Sequence, residues 1–136
     1  VVGVGHSIGA TLLLARAGAD LWLGPEDRIA GVRDPRLSAL VLLAPALGYF
    51  AAPGALDAVD LPLLLRVGSA DAVTPPDDAR RFVAALNGRI SCDFAVVDGA
   101  DHFSFMDQRP PGQPEPWADA ATFRVQLAER IIALAH

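Results

Sequence analysis

A parallel β-sheet with helices on both faces is the α/β fold class that this sequence predicts. Short apolar runs rich in Val and Leu alternate with helical stretches, and Gly- and Pro-containing segments separate them. The 136 residues, 52% hydrophobic and 20% charged, fit one domain with a substantial core, which makes disorder and tandem domains poor readings.

Val1 to Gly5 is short, apolar and β-branched, which suits a strand covered on both faces. Ile8 to Ala19 reads as a helix whose Leu12, Leu13 and Leu14 sit among small alanines, so that it can pack closely on the sheet. The polar stretch from Gly24 to Arg36, with Pro25 and Pro35, reads as a connection to a second strand at Leu37 to Leu43. Pro45 to Asp60 reads mostly as loop, with one short helix around Ala55 to Val59, and a third strand follows at Leu63 to Val67.

After Pro75 and Pro76, Asp77 to Leu86 makes an amphipathic helix with Phe82, Val83 and Leu86 on one side. Ser91 to Val97 is the fourth strand, Gly99 to Trp117 a Pro- and Gly-rich loop, and Ala118 to Leu134 a final helix with Phe123, Leu127, Ile131 and Leu134 inward. In such sheets functional groups collect beyond the carboxyl ends of the strands. That directs attention to Gly5-His6-Ser7, Ala44-Pro45, Gly68 to Asp71 and Gly99 to His102.

Composition removes several chemistries. All 11 cationic side chains are Arg, so a P-loop phosphate site, a pyridoxal Schiff base and a Ser-Lys dyad each lack their amine. The net charge of −5 without basic clusters makes nucleic acid a poor partner. Cys92 is alone and no His or Cys spacing provides three or four metal ligands, so no metal is expected. No apolar run approaches the ~20 residues of a membrane span. The opening VVGVGHS has neither a starting Met nor a charged leader, so the compartment is not legible.

Gly5-His6-Ser7-Ile8-Gly9 is a G-x-S-x-G sequence between a predicted strand and a predicted helix, the context that motif requires. Its glycines are expected to permit a sharp turn that exposes the Ser7 hydroxyl above the sheet. The helix starting there points free N–H groups, notably that of Ile8, at charge developing on a carbonyl oxygen. A dinucleotide fingerprint built on Gly3 and Gly5 would need glycine where Ile8 stands.

A serine hydroxyl needs a base, and the base needs an orienting carboxylate. Of the three histidines, His136 is terminal, and His6 adjoins Ser7 with its side chain directed away, so it is expected to pack beneath or beside the site. His102, in the loop after the last strand, is the expected base. Asp71, in the loop after the third strand, is the expected carboxylate. Asp77 and Asp78 are better explained as capping and dipole charges at a helix start, and Asp101 is too close to His102 in sequence to face its Nδ1.

The order Ser7, Asp71, His102 is that of the α/β-hydrolase arrangement. With the segments VGVGHSIGA, VLLAPALGYF, LLLRVGSADAVTPP and GADHFSFMD, the sequence resembles the α/β-hydrolase superfamily, within it the predicted dienelactone hydrolases and acetylhydrolase-like serine esterases. The resemblance covers nearly all of residues 1–136 but only the carboxyl-terminal part of such a catalytic domain, from its nucleophile strand onward. It implies Ser7 as nucleophile, Asp71 as acid, His102 as base and the Ile8 N–H as one oxyanion donor. The dienelactone enzymes themselves use a cysteine nucleophile, where this chain has Ser7.

The family's second oxyanion donor comes from a loop that would precede residue 1, and the strand that would flank Val1 to Gly5 would precede it too. The isolated 136 residues are therefore expected to be inactive or aggregation-prone.

The expected reaction is cofactor-free hydrolysis of a small-molecule ester through an acyl-enzyme. The segment between the second and third strands is too short for a large helical lid, which suits small or soluble acyl groups. Leu47, Tyr49 and Phe50 there, and Phe103 beside His102, are candidates to line the acyl pocket; core packing under a loop is the competing reading for each. A prolyl-oligopeptidase-type peptidase shares the triad order, and a non-catalytic binding module could keep the fold. The oligomeric state is not legible.

Overall fold

Apolar runs too short for helices become strands, and the computed structural model, which describes residues 1–115 and 117–136, assembles four of them into one sheet. In chain order the elements are β1 (Val2–His6), α1 (Ile8–Arg16), β2 (Leu21–Gly24), β3 (Asp27–Ile29), β4 (Ala39–Leu43), β5 (Leu63–Gly68), α2 (Pro76–Leu86), β6 (Cys92–Val97) and α3 (Ala120–Ala135). The sheet order is β1-β4-β5-β6, and every pairing in it is parallel.

The period-2 alternation of side chains sorts the residues of the central strands onto two faces. Leu40 and Leu42 of β4 and Leu63, Leu65 and Val67 of β5 pack with Ala10 and Leu14 of α1 and Phe82 and Leu86 of α2. Val41, Leu43, Leu64 and Val97 belong to the other face, with Phe105 and with Leu127 of α3. Each fully buried Leu or Val contributes about 1.5–3 kcal/mol. Arg66 of β5, a charged residue buried in the sheet, donates to the Asp93 carbonyl at 2.6 Å and to Asp93 Oδ1 at 3.0 Å. Asp93 Oδ2 accepts from Arg130 at 2.7 Å, which ties α3 to the sheet and leaves the buried guanidinium paired.

The alternating strands and helices, the parallel sheet and its coverage from both sides agree with the sequence reading. Several details differ; the first helix, for example, ends at Arg16 rather than Ala19, and its Leu12 is exposed. Residues 21–29, expected as connection, include the antiparallel hairpin β2–β3, which is short and has an exposed second strand. No helix forms at Ala55 to Val59; a 3-10 turn at Gly48–Phe50 is followed by separate i to i+3 turns, including Asp57 N to Gly54 O and Val59 N to Leu56 O.

The other differences concern exposure and helix ends. Val4 is 51% exposed: Gly3 and Gly5 of β1 face α1, so Val4 points to the opposite face, where α3 packs on β4, and β1 is not covered on both faces. Leu134 lies in the last turn of α3 and is exposed, while Leu127 is buried as expected. Asp77 and Asp78 supply first-turn charge to α2 and pair with Arg80 and Arg81, but neither caps the helix, whose N-cap position is Pro75. No helix among the described residues is long and apolar enough to cross a membrane.

Candidate active site

Parallel pairing lines up the carboxyl ends of β1, β4, β5 and β6, and the loops leaving them converge. At the end of β1 the chain turns directly into α1 through Ser7, which has φ 54° and ψ −125°. A non-glycine residue in this region is strained, and neighbouring structure has to hold it there. Ser7 N donates to Leu43 O at 2.9 Å, and Ser7 O accepts from Ala10 N at 3.1 Å, fixing the turn from both sides.

Gly5 makes this turn possible. A Cβ on Gly5 would lie 2.7 Å from Ala10 N, so α1 can fold back onto β1 only over a glycine. Gly9, for which the sequence implied the same purpose, has open space at its Cβ position, so the close approach rests on Gly5 alone. The N–H groups of Ile8 and Gly9, the first two residues of α1, have no intrahelical acceptor, whereas that of Ala10 reaches Ser7 O.

The other two loops are drawn together in a comparable way. A Cβ on Gly68, at the end of β5, would meet Ala100 O at 2.1 Å, and Ala70 N donates to that carbonyl at 3.0 Å. The segment carrying Asp71 is thereby pressed against the segment carrying His102.

The result is a hydrogen-bonded line. His102 Nε2 lies 3.0 Å from Ser7 Oγ, and His102 Nδ1 lies 2.8 Å from Asp71 Oδ2. A carboxylate only accepts, so Nδ1 carries the imidazole proton and Nε2 is free to accept from the Ser7 hydroxyl. The side chains of His102 and Asp71 are 6% and 0% exposed, so water competes little for the bond between them.

Asp71 is held by more than His102. Its Oδ1 accepts from Val73 N at 2.8 Å and Thr74 N at 2.7 Å. Its Oδ2 accepts from the Thr74 hydroxyl at 2.7 Å. Thr74 Oγ1 also lies 3.0 Å from His102 Nδ1 and 3.2 Å from Ala44 O, so this buried hydroxyl touches three of the four strand-end loops. Thr74 was missing from the sequence reading, although an Asp followed three residues later by Thr is a recognisable turn signal.

Asp101, beside His102, pairs elsewhere, as expected. It accepts from Arg109 at 3.0 and 2.5 Å, from Ser104 Oγ at 2.9 Å and from Phe103 N at 3.0 Å. The Arg109 guanidinium holds the Asp101 carboxyl down at about 2. Glu115 bridges Arg109 and Arg124, and Arg124 donates to Ser104 O, so the long loop is braced onto α3. No local signal in the sequence pairs Asp101 with an arginine eight residues away.

The four aromatic and aliphatic candidates fall in different settings. Leu47 and Phe50 are buried in the core and border a cavity of about 310 Å³ between the β4–β5 connection and α2; none of Ser7, Asp71 and His102 lines it. Tyr49 is 37% exposed. Phe103 is half-buried, its ring edge-on to His102 at 5.2 Å between centroids, with the Arg109 guanidinium 5.8 Å from its own centroid.

His6 lies beside His102, with ring centroids 4.9 Å apart, and His136 is exposed. Among the described residues no cluster of three His, Cys, Asp or Glu side chains could hold a metal ion. Burial pushes the Cys92 thiol up to about 11, which makes it a poor nucleophile.

No protein-family model matches the chain, and no curated protein matches it by sequence. Solved structures do. A thermophilic esterase from the planctomycete Thermogutta terrifontis, in its propionate-bound form, superposes with a TM-score of 0.62 at 21% identity, covering 97% of this chain and 54% of that one. A carboxylesterase from Lactobacillus plantarum gives 0.59 at 15% identity, covering 95% of this chain and 55% of that one. An alpha-beta serine hydrolase homologue from Coxiella burnetii gives 0.54 at 20% identity, covering 97% and 47%. The chain thus spans about half the length of each of these structures. At such identities the likeness is one of fold, and the fold of this chain is that of the α/β-hydrolases.

Proposed function

We propose that this chain carries the Ser-His-Asp machinery of a serine hydrolase that cleaves carboxylic esters. The observation that supports it most is the unbroken line from Ser7 Oγ through His102 to Asp71, with the serine on a strained strand-to-helix turn. Each group has the state its role requires: Ser7 is exposed enough to meet a substrate, His102 presents an accepting Nε2, and Asp71 stays fixed by three further donors.

In this reading Ser7 Oγ attacks the ester carbonyl carbon while its proton moves to His102 Nε2. Asp71 stabilises the imidazolium, and the Ile8 N–H donates to the oxyanion. The tetrahedral intermediate collapses as the alkoxide leaves and takes the proton from Nε2, which gives a Ser7 acyl ester. Water then gives a proton to Nε2 and attacks that ester. The acid departs, and Ser7 recovers its proton. The cycle uses no cofactor.

We further propose that these residues form the carboxyl-terminal part of one catalytic domain, whose second oxyanion donor lies outside them. The open edge of β1 and the half-length coverage of the solved structures support this. Short acyl groups are the proposed substrates, because the Thermogutta esterase has been captured with propionate and with butyrate. Of the four candidate lining residues, Phe103 is the one whose ring already touches the base, and we place it against the acyl group.

The test is turnover by the intact protein of p-nitrophenyl acetate, propionate and butyrate against a prolyl peptide p-nitroanilide. Hydrolysis of the esters with little cleavage of the peptide is expected. Preferential peptide cleavage would favour the peptidase reading, and absence of both activities in folded protein would favour a binding module.

A further inference from the structure

We propose that His6 is a positioning residue that fixes the His102 imidazole against Ser7 through the His102 main chain. This inference rests on the reading of Ser7 and His102 as nucleophile and base. His6 Nε2 lies 2.6 Å from the carbonyl oxygen of His102, a bond spanning 96 positions of sequence. A carbonyl oxygen only accepts, so His6 carries its proton on Nε2 and donates it there. Among the described residues no other group donates to that carbonyl.

The geometry gives this bond a consequence beyond packing. His6 and Ser7 are adjacent, and both reach the same residue: Ser7 Oγ meets the His102 side chain at 3.0 Å, and His6 Nε2 meets its backbone. The two bonds close a ring through the His6-Ser7 peptide. Asp71 and Thr74 hold the imidazole from its Nδ1 side, and the His6 bond fixes the main chain from which the ring extends to the same turn that carries Ser7, so that distance and direction to the hydroxyl are set together.

The loop needs such a constraint, because no regular element is present among the described residues between β6 and α3. Arg109 and Glu115 brace that loop onto itself and α3, while the His6 bond joins it to β1, the strand that leads into Ser7. Burial keeps His6 toward its neutral form, against the opposing pull of the His102 carbonyl. A neutral ring also avoids placing a second cation beside the imidazolium that forms in the proposed reaction, with the Asp71 carboxylate bonded to His102 and exerting a weaker pull on His6.

The test uses the intact protein with a fluorophosphonate probe, p-nitrophenyl butyrate and three variants. Gln places its amide nitrogen the same four bonds from Cα as His Nε2, whereas Asn falls one bond short. His6→Ala and His6→Asn are expected to slow Ser7 labelling and kcat by about 10- to 100-fold with KM little changed. His6→Gln is expected to recover most of both rates.

Ala labelling at the wild-type rate, or Gln and Asn variants equally slow, would overturn the positioning role while leaving Ser7 as the nucleophile. The Gln and Asn pair decides the matter if the Ala variant does not fold. A folded wild type that is not labelled at Ser7 would overturn the catalytic reading itself, and the positioning role with it.

Discussion

Ser7→Ala and His102→Ala are each expected to remove ester turnover by about 10⁴- to 10⁶-fold, and the double variant to be no slower than either alone. In the proposed mechanism Ser7 supplies the oxygen that forms the acyl bond, and His102 supplies the atom, 3.0 Å away, that takes its proton. Among the described residues neither has a replacement nearby: His6 is committed to the His102 carbonyl, and Cys92 lies within β6 with its thiol held protonated. Because the two act in one proton transfer, losing either removes the same step, so the effects do not add. Turnover of p-nitrophenyl butyrate by folded variants checks this. A Ser7→Ala variant with appreciable residual activity would place the nucleophile elsewhere.

Asp71→Asn is expected to cost about 10⁴-fold in kcat while leaving the fold intact. Main-chain donors orient the substituted amide. Val73 N and Thr74 N both point at the Oδ1 position, so the amide oxygen settles there and the NH₂ faces His102 Nδ1. A donor at that place requires a bare Nδ1, which moves the imidazole proton to Nε2, where it faces Ser7 Oγ and cannot accept. The variant is thus expected to keep its unfolding midpoint and lose kcat. Near-normal kcat would mean that Asp71 does not set the tautomer of His102.

The sheet was legible because its strands are apolar runs bounded by Gly, Pro or charged residues. β4 and β5, buried along their whole lengths, are the clearest examples. The β2–β3 hairpin was not legible, since its second strand is three exposed residues without alternation and its turn contains Pro25. Coverage of the sheet faces was also hidden: the composition of β1 is that of a strand covered on both sides, and the exposure of Val4 follows from α3 packing on β4 on the face to which Val4 points.

The residues of the candidate site, which the structure brings into contact, were singled out by signals of different reach. Ser7 came from a local motif in its required context, and Asp71 and His102 came from the rule that chemistry collects at strand ends. What escaped were mainly contacts between loops. The reach of the Thr74 hydroxyl to His102 and Ala44 and the His6 bond to the His102 carbonyl depend on where the strand-end loops meet, and the Arg109 clamp on Asp101 depends on the irregular path of one loop; no sequence spacing records either.

The most direct measurement is covalent labelling of the intact protein with a fluorophosphonate, followed by peptide mapping by mass spectrometry. One label on Ser7, lost in Ser7→Ala and greatly slowed in His102→Ala, is the expected result. A folded wild-type protein that stays unlabelled, or carries its label on another residue, would contradict the assignment of Ser7 and His102 as nucleophile and base.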